Sequence, residues 1–273
     1  MGLETIKRVK RIIKNEGIGS FLFSFKYYLY NLAEIPPTRF RHLRYDIKYG
    51  DSSPEPYRLL FVDPHAIEYV LIPSFRSEII TRGTHFKRGN WDIQVADEVL
   101  STTEEVQSKY GSRRLVRFSN YGLHRAIEDH IINQKPWSET SYYAAKVAQG
   151  VSEEELEHER KETVELYYTI KEEGYRLQKE LSEVKKEKGP PEYDEIRINI
   201  GRNGQLILDD CRHRLSIARI LDLETIPVRV FVRHAEWQRV RHRVAVTQEE
   251  PKDCLINHPD LQDVISFEAP NSE

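Results

Sequence analysis

The stretch from Ile196 to Val232 constrains the fold more than any other part of the chain. Ile196, Ile198 and Ile200 alternate with Arg197 and Asn199, the period of a half-buried strand. Arg202-Asn203-Gly204 predicts a hairpin turn, because Asn-Gly readily takes the positive φ angles a tight turn needs. Leu206-Ile207-Leu208 predicts the return strand. A helix is expected from Arg214 to Leu221, and Ile226-Pro227-Val228-Arg229-Val230-Phe231-Val232 predicts a last strand. Strand, hairpin, strand, loop, helix, strand implies an α+β domain built on a small mixed sheet with packed helices.

The rest of the chain elaborates that unit. Tyr57–Val62 and Ile67–Ile72 read as extended segments, Thr81–Trp91 as a loop, and Val95–Tyr110 and His124–Ile132 as helices. Ser152 followed by three glutamates is a strong helix start, with Glu155 placed for a capping box. That helix runs to Glu173 on a stripe that includes Leu156, Val164, Tyr167 and Ile170, its charges forming a solvated face, and Gly174 stops it. A further charged helix spans Arg176–Lys188. The expected organisation is an N-terminal amphipathic helical arm (1–50), a main domain (57–235) with a helical insertion at about 95–150, and a C-terminal extension (236–273) whose tail after Phe267 is disordered.

Charge and cysteine usage limit the function classes. A net charge of −3 over 273 residues gives no global pull toward nucleic acid, so any basic function sits in a local patch. Two cysteines, Cys211 and Cys254, cannot build a disulfide framework and suggest a reducing, cytoplasmic setting or simply low cysteine use. No secretory signal and no run near the ~18 apolar residues of a spanning helix are seen. Leu3–Asn15 is basic and amphipathic, and aromatics follow to Tyr30. Residues 3–32 therefore read first as an arm that docks on the domain. A helix on an anionic membrane surface, giving peripheral membrane contact, and a helix that binds a partner protein stay open.

The chemistry concentrates in Asp209-Asp210-Cys211-Arg212-His213-Arg214. A strand delivers the chain to a short turn where a helix begins. The first helical turn offers unpaired N–H groups and partial positive charge, which suit a phosphate. Arginine adds a planar fork that grips two phosphate oxygens. Cations are disfavoured at a helix start, and a bound anion offsets that cost. In the bland alternative, Asp209 and Asp210 cap the helix and pair with Arg212 and Arg214. The spacing is not a P-loop, since no Gly-rich stretch or Gly-Lys-Ser/Thr occurs. A thiol at such a turn, beside arginines, is expected to have a lowered pKa.

Residues 207–232, ILDDCRHRLSIARILDLETIPVRVFV, resemble the core of the ParB/sulfiredoxin superfamily. ParB proteins carry Gly-Glu-Arg-Arg in this loop and sulfiredoxins Gly-Cys-His-Arg. Free-serine kinases carry a similar His-Arg loop. In each, a helix with small residues and an Ile-Pro strand follow, as Ala218 and Ile226-Pro227 do here. The resemblance covers residues 163–234, with Thr169–Gln178 matching more weakly and Tyr57–Ile72 as a first strand pair. It implies that His213 and Arg214 contact nucleotide phosphates and act in catalysis, with Cys211 and Arg212 completing the loop. It implies ATP, ADP or CTP as the nucleotide, with Mg²⁺. His258-Pro259-Asp260-Leu261-Gln262 weakly resembles a sulfiredoxin tail. Departures are clear: Arg212 stands where sulfiredoxin has its reactive cysteine, and Cys211 stands at the loop Gly. ParB's Glu-Asn-x-x-Arg box is missing from the expected place, and no helix-turn-helix domain follows the last strand.

Secondary candidates complete the picture. Thr84–Asp92 packs cations and Trp91 into a Gly-containing loop; if it faces the 211–214 turn, Lys87 and Arg88 add phosphate contacts. Otherwise Trp91 is a core anchor under a surface loop. Arg113, Arg114 and Arg117 lie among aromatics, a weak single-strand nucleic-acid signal better read as a salt-bridged helix end. Cys254-x-x-x-His258 with His234 and His242 is a poor zinc pattern. Glu172, Glu173 and Asp194 are carboxylates that could hold Mg²⁺ or act as a general base; the metal ligands are unassigned. The expected function is nucleotide-phosphate binding with phosphoryl transfer or hydrolysis on a small-molecule or protein substrate. The rivals are a nucleotide-switched regulator of DNA or a protein partner, and a membrane-surface adaptor.

Overall fold

The computed structural model describes Leu43 and residues 45–55, 58–71, 86–93, 95–96, 115–185, 194–247 and 255–265. Its centre is one mixed sheet. Among the described residues the strands are β1 (Leu59–Val62), β2 (Tyr69–Leu71), β3 (Phe86–Lys87), β4 (Val95–Ala96), β5 (Leu115–Arg117), β6 (Ile196–Ile200), β7 (Leu206–Asp210) and β8 (Ile226–His234). The order is β1-β8-β6-β7-β2-β5-β4. β1 runs antiparallel to the first half of β8, while β3 runs parallel to its last two residues. β6 occupies the other side of β8 along most of its length, so β1 and β3 share one edge end to end.

The mixed sheet with packed helices bears out the α+β class. Ile196, Ile198 and Ile200 enter the main core with Leu206, Leu208, Val228 and Val230. Each buried branched side chain there contributes about 1.5–3 kcal/mol relative to exposure. The expectation of a half-buried β6 is corrected, since all five of its residues are buried. The reason is local pairing: Arg197 is ion-paired to Asp209, and Asn199 Oδ1 accepts the Val232 N–H at 3.1 Å. Arg197 is thus met inside by a counter-charge, and Asn199 has its oxygen bonded although its Nδ2 is buried without a partner.

The β6–β7 turn is wider than a two-residue Asn-Gly turn. Gly201 N–H donates to Gln205 at 3.0 Å, Gly204 N–H donates to Gly201 at 3.1 Å, and only Gly204 takes positive φ, at 88°. This matches a type I turn closed by a left-handed residue. A Cβ at Gly204 would meet the Trp237 ring at 2.8 Å, so the position also needs glycine for space.

Among the described residues the helices include α1 (Gly122–Ile131), α2 (Ser141–Ala148), α3 (Glu153–Glu173), α4 (Gln178–Lys185), α5 (Arg212–Ile220) and α6 (Ala235–Thr247). Ser152 and Glu155 form the expected capping box of α3, and Gly174 ends it at φ 78°. Helix α5 ends in a Schellman arrangement, in which Leu223 N–H reaches Ala218 O and Asp222 N–H reaches Arg219 O, with Asp222 at φ 52°. Two expectations fail. Val95 and Ala96 are a strand parallel to β5 rather than the start of a helix, because they add to a sheet edge. Helix α6 leaves β8 directly, and Trp237, Val244, Leu261 and Val264 join the sheet's own core. Residues 236–247 and 255–265 thus contribute to the main core. Most of the 1–50 arm and the tail after Phe267 lie outside the described residues. At the arm's end, Tyr45 and Tyr49 meet the Phe86 ring at centroid distances of 4.6 and 5.3 Å.

Candidate functional site

β7 hands the chain to α5 through one residue. Cys211 is the N-cap of α5 with φ 71° and ψ 48°, and no side chain caps the helix. A left-handed non-glycine residue costs about 1–2 kcal/mol, so the surrounding contacts impose this turn. On the β7 side, Arg197 pairs with Asp209 and holds Asp210 Oδ2 at 3.1 Å. Asp210 Oδ1 accepts the Cys211 N–H at 2.9 Å. The carboxylates are therefore engaged chiefly from the sheet, by a strand arginine, rather than by Arg212 and Arg214 together.

The four residues of the turn face different ways. Arg212 donates to Asp210 Oδ1 at 3.4 Å and to the Asp209 carbonyl at 3.3 Å, and lies 5.8 Å from the Tyr121 ring centroid. Its Nε is buried without a hydrogen-bond partner. His213, more than a third exposed, meets Glu159 Oε1 through Nε2 at 3.2 Å. Arg214 turns inward: Nη2 donates to the Asp194 carbonyl and to Cys211 Sγ, the latter at 2.9 Å. Tyr175 and Glu195 lie against the same guanidinium. Glu195 in turn accepts the Gln178 N–H at 2.6 Å. Arg214 thus ties the turn to residues 194–195 at the start of β6.

The expectation of a lowered Cys211 pKa is corrected. Burial pushes the thiol up, and the neighbouring Arg214 does not offset it. Glu159 moves the other way: burial raises it, but hydrogen bonds from His213 and Tyr142 hold it below the usual carboxylate range. Tyr142 OH donates to the same Oε1 at 2.9 Å. Glu159 was missed from sequence because the charges of α3 read as a solvated face, and Tyr142 on α2 sits in no motif. The signal was present, since Glu159 lies three residues after buried Leu156 and four before buried Thr163. That spacing places it on the packed stripe.

Lys87 and Arg88 are not brought to this turn. Lys87 sits beside His234, whereas Asp210 sits beside Arg197, which sits beside Arg229. Five residues of β8 separate those levels, about 17 Å along the strand. The loop around them serves the fold. Trp91 is buried against Leu71, Leu115, Ile207 and Phe231. Asp92, also buried, is gripped by Arg202 at 2.8 Å, and Arg202 reaches the Gly89 carbonyl at 2.7 Å.

The minor candidates are dispersed. Among the described residues no three His, Cys, Asp or Glu side chains converge as a metal site. His234, His242 and His258 bond separately to Gly89 O, Ser52 Oγ and Gly204 O, and Cys254 lies outside the described residues. Glu173 pairs with Arg176 at 3.3 Å. Arg117 lies 5.5 Å from the Tyr69 ring centroid and Phe118 is fully buried, while Arg113 and Arg114 lie outside the described residues. No described helix is long and apolar enough to cross a membrane. Compared with protein-family models, curated proteins and solved structures, the chain matches none.

Proposed function

We propose that this chain is a ParB/sulfiredoxin-like nucleotide-phosphate-binding protein whose Cys211–Arg214 turn takes the phosphates of a nucleoside di- or triphosphate. The observation that carries the reading is the left-handed Cys211 at the head of α5. It occupies the place of the glycine in the resembled loop, and it adopts the backbone conformation that glycine favours. Helix N–H groups and the dipole then favour an anion. Arg212 fits that role through its partnerless Nε, and His213 stands beside the phosphates with its side chain partly exposed. Arg214 supports the turn from within. Mg²⁺ is carried by phosphate oxygens, since this ion commonly keeps water and few protein ligands. Phosphoryl transfer or hydrolysis at such a site depends mostly on positioning and charge stabilisation.

Calorimetry with ATP, ADP and CTP in Mg²⁺ tests this on the full chain and on Arg212→Ala/His213→Ala. A charge-assisted hydrogen bond contributes about 1.5–3 kcal/mol, so the double variant should bind at least roughly tenfold more weakly. If no nucleotide binds the wild type, the function is wrong. If binding survives the substitutions unchanged, the site is wrong.

A further inference from the structure

We propose that Glu159 is a positioning residue that makes His213 a proton acceptor through Nδ1, with Tyr142 fixing the carboxylate; this rests on the nucleotide reading above. The three side chains come from three helices: Tyr142 from α2, Glu159 from α3 and His213 from α5. They converge on a single atom, Glu159 Oε1, at 2.9 Å from Tyr142 OH and 3.2 Å from His213 Nε2. An ionised carboxylate only accepts hydrogen bonds. Both partners therefore donate to it, and His213 carries hydrogen on Nε2. In neutral imidazole the other nitrogen is then the basic one.

The surroundings keep the carboxylate ionised. Lys146 adds charge beside Glu159, and Arg212 adds charge beside Tyr142. Tyr142 is buried, and burial raises its pKa far above neutral, so its hydroxyl remains a donor. Tyr121 is a further titratable side chain on that flank. His213 remains partly open to solvent, which leaves a route for substrate. A histidine oriented by a carboxylate, itself held by a third group, is the arrangement that activates a hydroxyl in acyl and phosphoryl chemistry.

The step balances without another reactant beyond nucleotide and acceptor. A hydroxyl of the acceptor, alcohol or water, gives its proton to Nδ1 as its oxygen bonds to the γ-phosphorus. The bond from that phosphorus to the bridging oxygen breaks, and the nucleoside diphosphate leaves with the electron pair. The imidazolium keeps its Nε2 hydrogen on Glu159 and later releases the Nδ1 proton to solvent.

Two measurements test the assignment. With ¹⁵N-histidine labelling, and His213→Ala to identify the resonance, His213 should show hydrogen on Nε2 in the wild type and a mixed tautomer in Glu159→Gln. Phosphate release with Mg²⁺-ATP and Mg²⁺-CTP should fall on the order of 100-fold in kcat for Glu159→Gln, with nucleotide Kd unchanged and the acid limb of the pH profile displaced. Tyr142→Phe should give a smaller loss in the same direction, and thermal melts confirm that each variant folds. Hydrogen on Nδ1 in the wild type overturns the positioning role. Nucleotide binding without turnover, or turnover in Glu159→Gln within twofold of wild type, overturns the proton-acceptor role and leaves the binding reading intact. Absence of nucleotide binding by the wild type overturns both.

Discussion

Cys211 gives the most direct test of the turn that everything else depends on. Two substitutions, Cys211→Gly and Cys211→Ala, remove the same thiol and its 2.9 Å contact with Arg214. They differ only in what the backbone tolerates at φ 71°. Alanine retains the left-handed cost of about 1–2 kcal/mol. Glycine is free of it but loses about 0.4–1 kcal/mol to the larger freedom of its unfolded chain. The difference favours Cys211→Gly by about 1 kcal/mol, in the reverse order from most positions. Urea unfolding of both variants at pH 7, with equal m-values, reads that difference as a shift in midpoint. Nucleotide affinity should stay within a few-fold in both, because the thiol is raised by burial and is not assigned to phosphate contact. If Cys211→Ala equals or exceeds Cys211→Gly in stability, the strained turn is not a property of the folded chain in solution.

Two further outcomes follow from buried charges. Asp260 is fully buried, accepts from Arg233 at 2.6 and 2.9 Å and from Trp237 Nε1 at 2.9 Å, and these partners hold its pKa down to about 2 despite burial. Asp260→Asn leaves the buried Arg233 guanidinium short of its counter-charge, Arg241 keeping Asp263, and should cost about 3–5 kcal/mol. Because the folded pKa is depressed from 3.8, that advantage over the variant should be constant from pH 7 to 4 and shrink only below, as checked by denaturation at several pH values. A difference already fading at pH 5 contradicts the assignment. His124 is buried, and burial, followed by Arg219 and Arg125, lowers its pKa from 6.5 to about 4. Its depressed value means the unfolded chain takes up the proton first, so stability is full above pH 6.5 and declines by roughly 3 kcal/mol toward pH 4. His124→Leu should flatten that slope in urea titrations, and parallel wild-type and variant slopes would refute the assignment.

Periodicity carried the elements whose pattern reflects a single dominant force. The alternating isoleucines of β6, the apolar β8 and the Ser152 capping box are local signals, and the structure keeps them. Val95 and Ala96 were read by helical spacing, yet they are decided by a neighbour in the sheet, which no local window contains. Helix α6 escaped because its buried face includes Gln238 and Arg241, residues that read as polar until the Ser52 carbonyl meets the first and Asp263 the second. The candidate site shows the same division. The strand-to-helix turn was legible at residues 209–214. The partner of His213 lies 54 residues earlier, on a helix whose many glutamates conceal the one that packs. Arginine density likewise misled: Arg214 braces a carbonyl, and Lys87 and Arg88 lie on the far level of β8.

The clamp of Asp260 on Arg233 and Arg241 bears on how the chain is made. Arg233 belongs to β8, one strand in from the edge that β1 and β3 form, and Arg241 to the helix that leaves it. Every described strand of the sheet precedes residue 235, yet the carboxylates that neutralise these guanidiniums, Asp260 and Asp263, come more than twenty residues later. A nascent chain halted near residue 250 would hold every described strand while carrying uncompensated cations on β8 and the helix after it. Synthesis therefore runs ahead of burial here, and β8 can settle fully only once residues 255–265 have emerged.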